Sequence, residues 1–147
     1  MTRPYPMLAL NLLLSFAIMY LVMFAMIDGW GDFYNNLNTF YMALAMVAPM
    51  GALMLLTMGH MYKDRRTNLV LYLVFAGLFA IGFGATRLQA GIGDVQFLRS
   101  MIPHHSGAIL MCRQARLVDQ EIVDLCGRIQ RSQRQEIDQM NRILARY

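Results

Sequence analysis

The 147-residue chain is long enough for one compact unit, or for a membrane anchor that carries a small module. Composition favours the second arrangement, because 57% of the residues are hydrophobic and 15% are charged, which argues against an ordinary soluble domain. The net charge of +4 comes mainly from the chain after residue 86, where nine Arg accompany six acidic residues. Because these charges alternate along predicted helices, we expect a solvated surface beside anionic lipid headgroups and no nucleic-acid partner.

Three long apolar segments occupy the first part of the chain. They cover residues 7–27, about 40–61 and 69–86, and none contains Asp, Glu, Lys or Arg. Since about 20 apolar residues cross the hydrocarbon core, each segment predicts a transmembrane helix, and together they form an anchor over residues 1–87. The first segment is longer than the apolar part of a signal peptide and no small-x-small cleavage pattern follows it, so we expect it to be retained.

The charges of the two loops predict how the helices are oriented. The first loop, DGWGDFYNNLN, has two Asp and no basic residue, whereas the second, KDRRTN, has three basic residues. Short basic loops stay cytoplasmic, so the second loop and an N-terminus marked by Arg3 are expected inside, and the tail after the third helix outside. In a bacterial inner membrane the tail is then periplasmic. Trp30, Phe33 and Tyr34 in the first loop are expected to anchor at the membrane interface.

A methionine ladder runs along the second apolar segment. Its members are Met42, Met46, Met50, Met54 and Met58. Met-x-x-x-Met in the second of three membrane helices is similar to the eukaryotic copper uptake channels of the Ctr family, which leaves a copper conduit as an alternative function. We favour simple packing, because Met commonly fills gaps in apolar cores and a four-residue spacing drifts about 40° per step around a helix.

Small residues and a proline mark two further features of the apolar segments. Pro49 and Gly51 indicate a kink in the second segment. Ala76, Ala80 and Gly84 form a small-residue stripe in the third, which we expect to pack closely against another helix.

The chain over residues 94–147 is predicted to form a hairpin of two helices. Asp94 is a candidate N-cap for a helix that runs to about Arg116, and Pro103 must either open this helix or kink it. Asp119 is the candidate N-cap of a second helix with apolar residues at helical spacing. A short turn between them makes the two helices antiparallel.

A histidine pair gives this hairpin its chemistry. His104 and His105 share one broad helical stripe with Met101 and Met111, and the stripe is expected to face the second helix. Buried imidazoles need hydrogen-bond partners or a metal ion, because unpaired burial of polar groups is costly. Nitrogen and thioether ligands suit copper, so we predict a bound copper ion, with Cu(I) favoured over Cu(II), and no organic cofactor. The alternative is a pair that packs without a metal.

The second helix supplies polar groups at the same level. If the turn centres near residue 119, Gln133 lies opposite His105, and Glu136 and Met140 follow within two turns. Glu136 and Met140 complete the predicted ligand set, and the carboxylate leaves room for Cu(II). No nucleophile–base pair is visible, so we predict that the protein is not an enzyme.

The two motifs of the hairpin resemble a known family. DVQFLRSMIPHHSGAILM followed by QRSQRQEIDQM is similar to the bacterial domain-of-unknown-function family numbered 305, whose pattern is Met-x-x-His-His-x-x-Ala-Ile-x-Met and then Gln-x-x-Glu-Ile-x-x-Met. The resemblance covers about residues 94–146. It implies a ferritin-like, often extracytoplasmic helical fold, linked in some members to copper binding and tolerance. The motif positions that it implies are Met101, His104, His105, Met111, Gln133, Glu136 and Met140.

The chain departs from this family in two respects. It has one hairpin where a four-helix bundle needs two, so we expect two copies to complete the bundle as a homodimer. Cys112 and Cys126 stand where small residues such as Ala are usual, seven residues before and after residue 119. A disulfide between them suits an oxidising compartment, two unbonded small residues are slightly favoured, and additional thiolate ligands are a third option.

Together these features predict an all-α protein with three transmembrane helices and a C-terminal two-helix hairpin. The predicted function is capture, buffering or tolerance of copper on the outer side of the membrane. Two alternatives stay open: a copper transporter that uses the methionine ladder, and a structural or assembly protein without metal.

Overall fold

The computed structural model describes residues 4–147, and within this range it contains helices and turns but no strand. The helices are α1 (Pro4–Val22), α2 (Leu37–Thr57), α3 (Arg65–Leu88), α4 (Asp94–Gln114) and α5 (Gln120–Leu144). Two short 3-10 turns, Met23–Met26 and Trp30–Asp32, lie between α1 and α2. The all-α prediction is confirmed. Arg3, which was used to place the N-terminus inside, lies outside the described residues.

Three of these segments are long and apolar enough to cross a membrane. They are Pro4–Met26, Leu37–Thr57 and Arg65–Leu88, and they contain most of each predicted apolar segment. At most 28% of the most apolar window of any span is buried within the chain, so most of this surface faces outward. An apolar surface of this extent matches contact with lipid chains.

The described chain divides into two compact units. One unit contains the three apolar helices, that is, the residues up to Val22 together with Asn38–Ala90. The other contains Met23–Leu37 and Gly91–Tyr147. The first loop therefore belongs to the same unit as the hairpin, whereas the sequence placed it in the anchor segment 1–87.

Two glycines allow close packing between α2 and α3. A Cβ added to Gly82 would lie 2.9 Å from both the backbone nitrogen of Ala45 and the backbone oxygen of Tyr41. At Gly51 an added Cβ would lie 2.6 Å from the ring of Phe75. Backbone atoms cannot move aside as a flexible side chain can, so Gly82 sets the approach of the two helices.

The predicted small-residue stripe of α3 does not lie on the side of the helix that packs against α2. Ala76 and Ala80 are exposed, and no atom lies within 4 Å of a Cβ added to Gly84. Gly84 follows Gly82 by two residues, which is about 200° around a helix of 3.6 residues per turn. The sequence shows the spacing of small residues but not which face of the helix meets its neighbour.

The methionine ladder of α2 is divided between two environments. Met54 and Met58 pack against a buried apolar cluster, whereas Met42 and Met46 are 44% and 49% exposed. The buried members of this cluster are Leu8, Leu55, Tyr62 and Phe75. The angular drift of a four-residue spacing explains the division, because each step turns the next side chain further around the helix.

The hairpin of α4 and α5 has its own apolar core. Its buried members are Leu98, Ile102, Ile109, Ile137 and Met140. Asp119 caps α5 as predicted, because its carboxylate accepts hydrogen bonds from the backbone N–H groups of Glu121 and Ile122. The N-cap of α4 is Gly93 instead of the predicted Asp94, which is the first residue of that helix, and Pro103 lies inside the helix.

A disulfide joins the two helices near their turn. Cys112 and Cys126 are bonded, with their Cα atoms 5.3 Å apart. The sequence slightly favoured two unbonded residues, but it placed them level with one another, as the bond requires. Closing a loop of this length removes conformational freedom from the unfolded chain and is worth about 3 kcal/mol.

The first loop is held on α4 by a buried hydroxyl. The backbone N–H of Asp28 donates to Ser106 Oγ at 2.6 Å, and Ser106 Oγ donates to Asp32 Oδ2 at 2.6 Å. Beside it, a Cβ added to Gly107 would lie 3.4 Å from the backbone oxygen of Met26. Small residues at positions 106 and 107 therefore let the loop lie directly on the helix.

The carboxylate of Asp28 connects the loop to both helices of the hairpin. Arg134 Nη2 donates a hydrogen bond to Asp28 Oδ2 at 3.0 Å, and Arg134 Nη1 lies 3.8 Å from Asp32 Oδ2. Arg113 Nη2 lies 3.0 Å from Asp28 Oδ1, close enough for an ion pair but without hydrogen-bond angles. Arg134 is therefore the stronger of the two partners. We call Asp28, Asp32, Arg113 and Arg134 the loop clamp.

Two aromatic residues of the first loop make contacts within their own unit. Tyr34 donates a hydrogen bond to Asn141 Oδ1 at 3.0 Å and packs against the hairpin core, and the ring of Phe33 lies 4.4 Å from that of Phe24. Both residues are half-buried. Their role at a membrane interface stays a prediction, as does that of Trp30, which is 89% exposed.

Candidate metal centre

His105 is fixed at both ring nitrogens. Its Nδ1 lies 2.9 Å from the backbone oxygen of Met101, one turn earlier in α4. Its Nε2 lies 2.7 Å from Glu136 Oε2 on α5. The imidazole is 11% exposed, so its orientation is set by these two contacts and by the packing of the hairpin.

Both contacts of the imidazole end on acceptors. A backbone carbonyl only accepts, so Nδ1 of His105 carries a proton. The carboxylate of Glu136 also accepts when it is ionised, so both partners of the ring can take a hydrogen bond from an N–H group.

Nε2 of His105 and Oε2 of Glu136 lie at a separation close to that of two ligands of one metal ion. A metal-binding His usually donates its other ring N–H to a carbonyl or carboxylate, as Nδ1 of His105 does to Met101. Nitrogen and oxygen ligands lie about 2.0–2.1 Å from a metal ion, so two adjacent ligands are about 3 Å apart. The 2.7 Å between Nε2 of His105 and Oε2 of Glu136 approaches that separation, so an ion beside both atoms needs only a small widening of the contact.

The hydrogen bonds of Glu136 favour its ionised form. Its Oε1 accepts a hydrogen bond from the Ser132 hydroxyl at 2.8 Å. This hydrogen bond, followed by that from His105, lowers the pKa of Glu136 below its ordinary value. The side chain is 47% exposed, so solvent can reach the carboxylate. Because helical side chains lean toward the N-terminus of their helix, Glu136 reaches back to the level at which the sequence placed Gln133.

The methionines predicted as ligands lie in different surroundings. Met140 is buried in the hairpin core and Met101 packs against the same core. Met111 is 55% exposed and follows His105 by six residues, about 9 Å along the helix axis. The structure therefore places the thioethers of Met101 and Met140 along the seam of the hairpin and leaves Met111 at its surface.

His104 lies beside the pair and not within it. It is exposed, and its ring centroid is 6.1 Å from that of His105. Among residues 4–147, no three side chains of the types His, Cys, Asp and Glu converge as a preformed metal site. His105 and Glu136 are thus the two predicted ligands that are in direct contact.

Sequence comparison now identifies the family of the hairpin. Residues 86–147 match the family described as "Domain of unknown function (DUF305)". A protein of Acanthamoeba polyphaga mimivirus, named "Uncharacterized protein L153", is 37% identical over 141 residues, which are 94% of this chain and 91% of that protein. The chain belongs to the DUF305 family. No solved structure matches it.

The relation to DUF305 confirms the resemblance of the hairpin motifs. Both His105 and Glu136 lie in the part of the chain that matches DUF305. The similarity to the viral protein spans nearly the whole chain, so it also includes most of the apolar segments before the DUF305 region.

Two sets of residues around this DUF305 site were not predicted from the sequence. Ser132 precedes Glu136 by four residues, and this spacing places the two side chains on one helix face, which was an indication of their contact. Asp28 and Asp32 gave a weaker indication, as acidic residues in a short loop of an apolar chain. Their contacts with the hairpin depend on a long-range fold that local spacing does not specify.

Proposed function

We propose that this DUF305 protein is a membrane-associated metal-binding protein that captures or buffers copper. The observation that carries the proposal is the fixed orientation of His105. Its Nδ1 proton is engaged by the Met101 carbonyl, which aims Nε2 at the Glu136 carboxylate 2.7 Å away. The carboxylate partner is 47% exposed, so an ion from solvent can reach the Nε2 side of the ring.

The donors around this position favour copper among the common metals. Imidazole nitrogen suits several transition metals, and the thioethers of Met101 and Met140 along the same seam add a preference for Cu(I). The Glu136 carboxylate also permits Cu(II). The exposed His104 is a second imidazole in the same helical turn, with its ring centroid 6.1 Å from that of His105. Manganese, which prefers oxygen ligands, is disfavoured by this set.

Metal binding at this position is expected to release a proton. Nε2 of His105 binds a metal ion only through its lone pair, so an ion and a proton compete for this nitrogen. The hydrogen bonds of Glu136 lower its pKa and so favour the carboxylate form, whose charge offsets that of a bound ion.

We further propose that the hairpin lies on the outer side of the membrane, which is the periplasm in a bacterial cell. A chain that crosses a membrane three times brings its first loop and its tail to the same side, in agreement with the loop clamp. The basic loop KDRRTN then lies in the cytoplasm. The Cys112–Cys126 disulfide suits an oxidising compartment. A phosphatase fused after Tyr147 should be active and a fluorescent protein at the same place dark; the reverse pattern would refute this orientation.

The central test measures copper bound by the purified full-length protein in mild detergent. We expect His105→Ala to abolish copper binding, whereas His104→Ala, which removes an exposed ring from the same helical turn, should weaken it less. Glu136→Gln should weaken binding of Cu(II) more than that of Cu(I), because the softer ion depends less on a carboxylate. Nickel and manganese should bind more weakly than copper. An undiminished copper stoichiometry in His105→Ala would end the proposal.

Transport through the methionine ladder remains the alternative function. Within one chain the ladder does not form a continuous lining, because Met54 packs inside the helical unit while Met46 faces outward. Replacing Met46, Met50 and Met54 by Leu conserves volume, so each swap should cost under about 1.5 kcal/mol. We expect no copper flux into proteoliposomes above that of empty liposomes. Robust flux that these swaps eliminate would favour the transporter.

The predicted homodimer also belongs to the proposal. The first loop covers part of α4 within the same chain, through Ser106 and Gly107, and so reduces the surface that a second copy would need to cover. Light scattering of the protein in detergent distinguishes the states. A monomer that still binds copper would show that the binding site is complete in one chain and does not require a dimer. We also expect no catalytic turnover, in line with a binding protein.

A further inference from the structure

We infer that reduced Cys112 and Cys126 form a second site, for one soft monovalent cation such as Cu(I), and that the disulfide closes this site. The inference is independent of the His105 site. It assigns the two cysteines a binding function that is available in one redox state only, in addition to the stabilisation that the bond provides.

The backbone holds the two sulfur atoms where one ion can bridge them. The Cα atoms of Cys112 and Cys126 are 5.3 Å apart on facing helices, and both residues are half-buried. Metal–sulfur bonds are about 2.3 Å long, so an ion between two thiolates needs the sulfurs up to about 4.6 Å apart. Rotation of the two side chains about χ1 can supply this separation while the helices stay in place.

Other contacts hold the helices together without the disulfide. Arg113, the residue after Cys112, and Arg134 on α5 both contact Asp28, each at 3.0 Å. The buried side chains of Ile109 and Ile137 belong to one core that spans both helices. Reduction therefore removes one of several links, and the two thiols are expected to remain neighbours.

The cysteine pair is separate from the candidate site at His105. Cys112 follows His105 by seven residues, about 10 Å along α4, so one ion cannot bind both. Met111, which the sequence assigned to the His site, is adjacent to Cys112 and lies at the surface. Cys112 and Cys126 are themselves half-buried, so part of the pair faces solvent, from which small reductants and ions come.

The chemistry of the site balances with a thiol reductant. A dithiol gives two electrons and two protons to the disulfide, becomes a disulfide itself, and leaves Cys112 and Cys126 as thiols. The two thiols then bind Cu(I) as thiolates and release two protons, and soft sulfur ligands select this ion. A disulfide-containing oxidant reverses the exchange: it takes the two electrons together with two protons from solvent, becomes a dithiol, and leaves the Cys112–Cys126 bond and the free ion.

The test titrates anaerobic Cu(I), in competition with a chromogenic chelator, into the full-length protein in detergent. Oxidised protein is compared with protein treated with a dithiol and desalted under nitrogen. We expect the reduced protein to bind one more Cu(I) per chain than the oxidised protein. The double variant C112S/C126S should gain nothing from the same treatment. His105→Ala should keep the full gain, so failure of the His105 site and failure of this inference are distinguishable.

A second readout does not depend on copper stoichiometry. Bound Cu(I) should protect both thiols of the reduced wild type from alkylation, which mass spectrometry detects as two missing adducts. Far-UV circular dichroism should show equal helix content before and after reduction. Equal stoichiometry in both redox states, a gain that persists in C112S/C126S, or loss of helix on reduction would each overturn the inference.

Discussion

Asp28 contacts both helices of the hairpin from the first loop, and its replacement by Asn tests the loop clamp. The side chain of Asp28 is 9% exposed, whereas those of Arg113 and Arg134 are 51% and 45% exposed. Asn keeps the size of the side chain and removes its charge. The variant is therefore expected to fold while the loop loses its main hold on α5.

The magnitude follows from the exposure of the partners. A hydrogen bond to a charged group contributes about 1.5–3 kcal/mol, which applies to the bond from Arg134. Both Arg side chains can regain water when the carboxylate is lost, so the ion pair with Arg113 adds at most a few tenths. We expect Asp28→Asn to lower the free energy of opening of the hairpin unit by about 2 kcal/mol. Since about 1.4 kcal/mol is tenfold, amide hydrogens there should exchange about 30-fold faster.

Hydrogen–deuterium exchange of the full-length protein in detergent measures this change peptide by peptide. The matched control is Asp138→Asn, which makes the same chemical change at an exposed position of α5. Faster exchange should appear in α4, α5 and the first loop of Asp28→Asn and be absent from the control. Exchange rates within about twofold of the control would show that the loop clamp contributes nothing to stability.

Four further variants test other features of the structure. Met111→Leu should leave copper binding by the oxidised protein unchanged in calorimetry, because Met111 lies about 9 Å along α4 from His105; lost binding would restore it as a ligand. Glu136 has a lowered pKa when folded, so its contribution to stability is full above the ordinary carboxyl value of 4.5 and is lost as the pH falls through the lowered value. In Glu136→Gln, acid titration of hairpin exchange should lack this component, and an unchanged acid profile would contradict the pairing. Gly82→Ala should destabilise the helical unit because its Cβ meets backbone at 2.9 Å, whereas Gly84→Ala should be nearly neutral; equal thermal stability in detergent would contradict the packing.

Local patterns predicted most of the helices and the register of the hairpin. Apolar segments without charges identified the three spans, and Asp119 identified the start of α5. Placing the turn near residue 119 brought Cys112 opposite Cys126, and the disulfide confirms that register. These features depend on residues that are near in sequence, which is why spacing alone specifies them.

The breadth of a helical stripe limited the prediction of the ligand set. At 100° per residue, Met101, His105 and Cys112 fall within about 40° of one another, whereas His104 and Met111 lie about 60–80° to one side of Met101. The structure follows this division, since the first group is half-buried and the second is exposed. A stripe drawn to include His104 and Met111 together with Met101 and His105 was wider than the contact between two helices.

The loop clamp has a consequence for the order in which the chain is made. Asp28 and Arg134 are separated by 106 residues, so their hydrogen bond forms only after the chain has been synthesised as far as Arg134. All three apolar helices precede Arg134, so they are made before the first loop can reach its partner on α5. In the proposed orientation, a chain whose third helix failed to insert would leave the loop and the tail on opposite sides of the membrane, and this hydrogen bond would not form. Assembly of the hairpin unit would thereby depend on correct insertion.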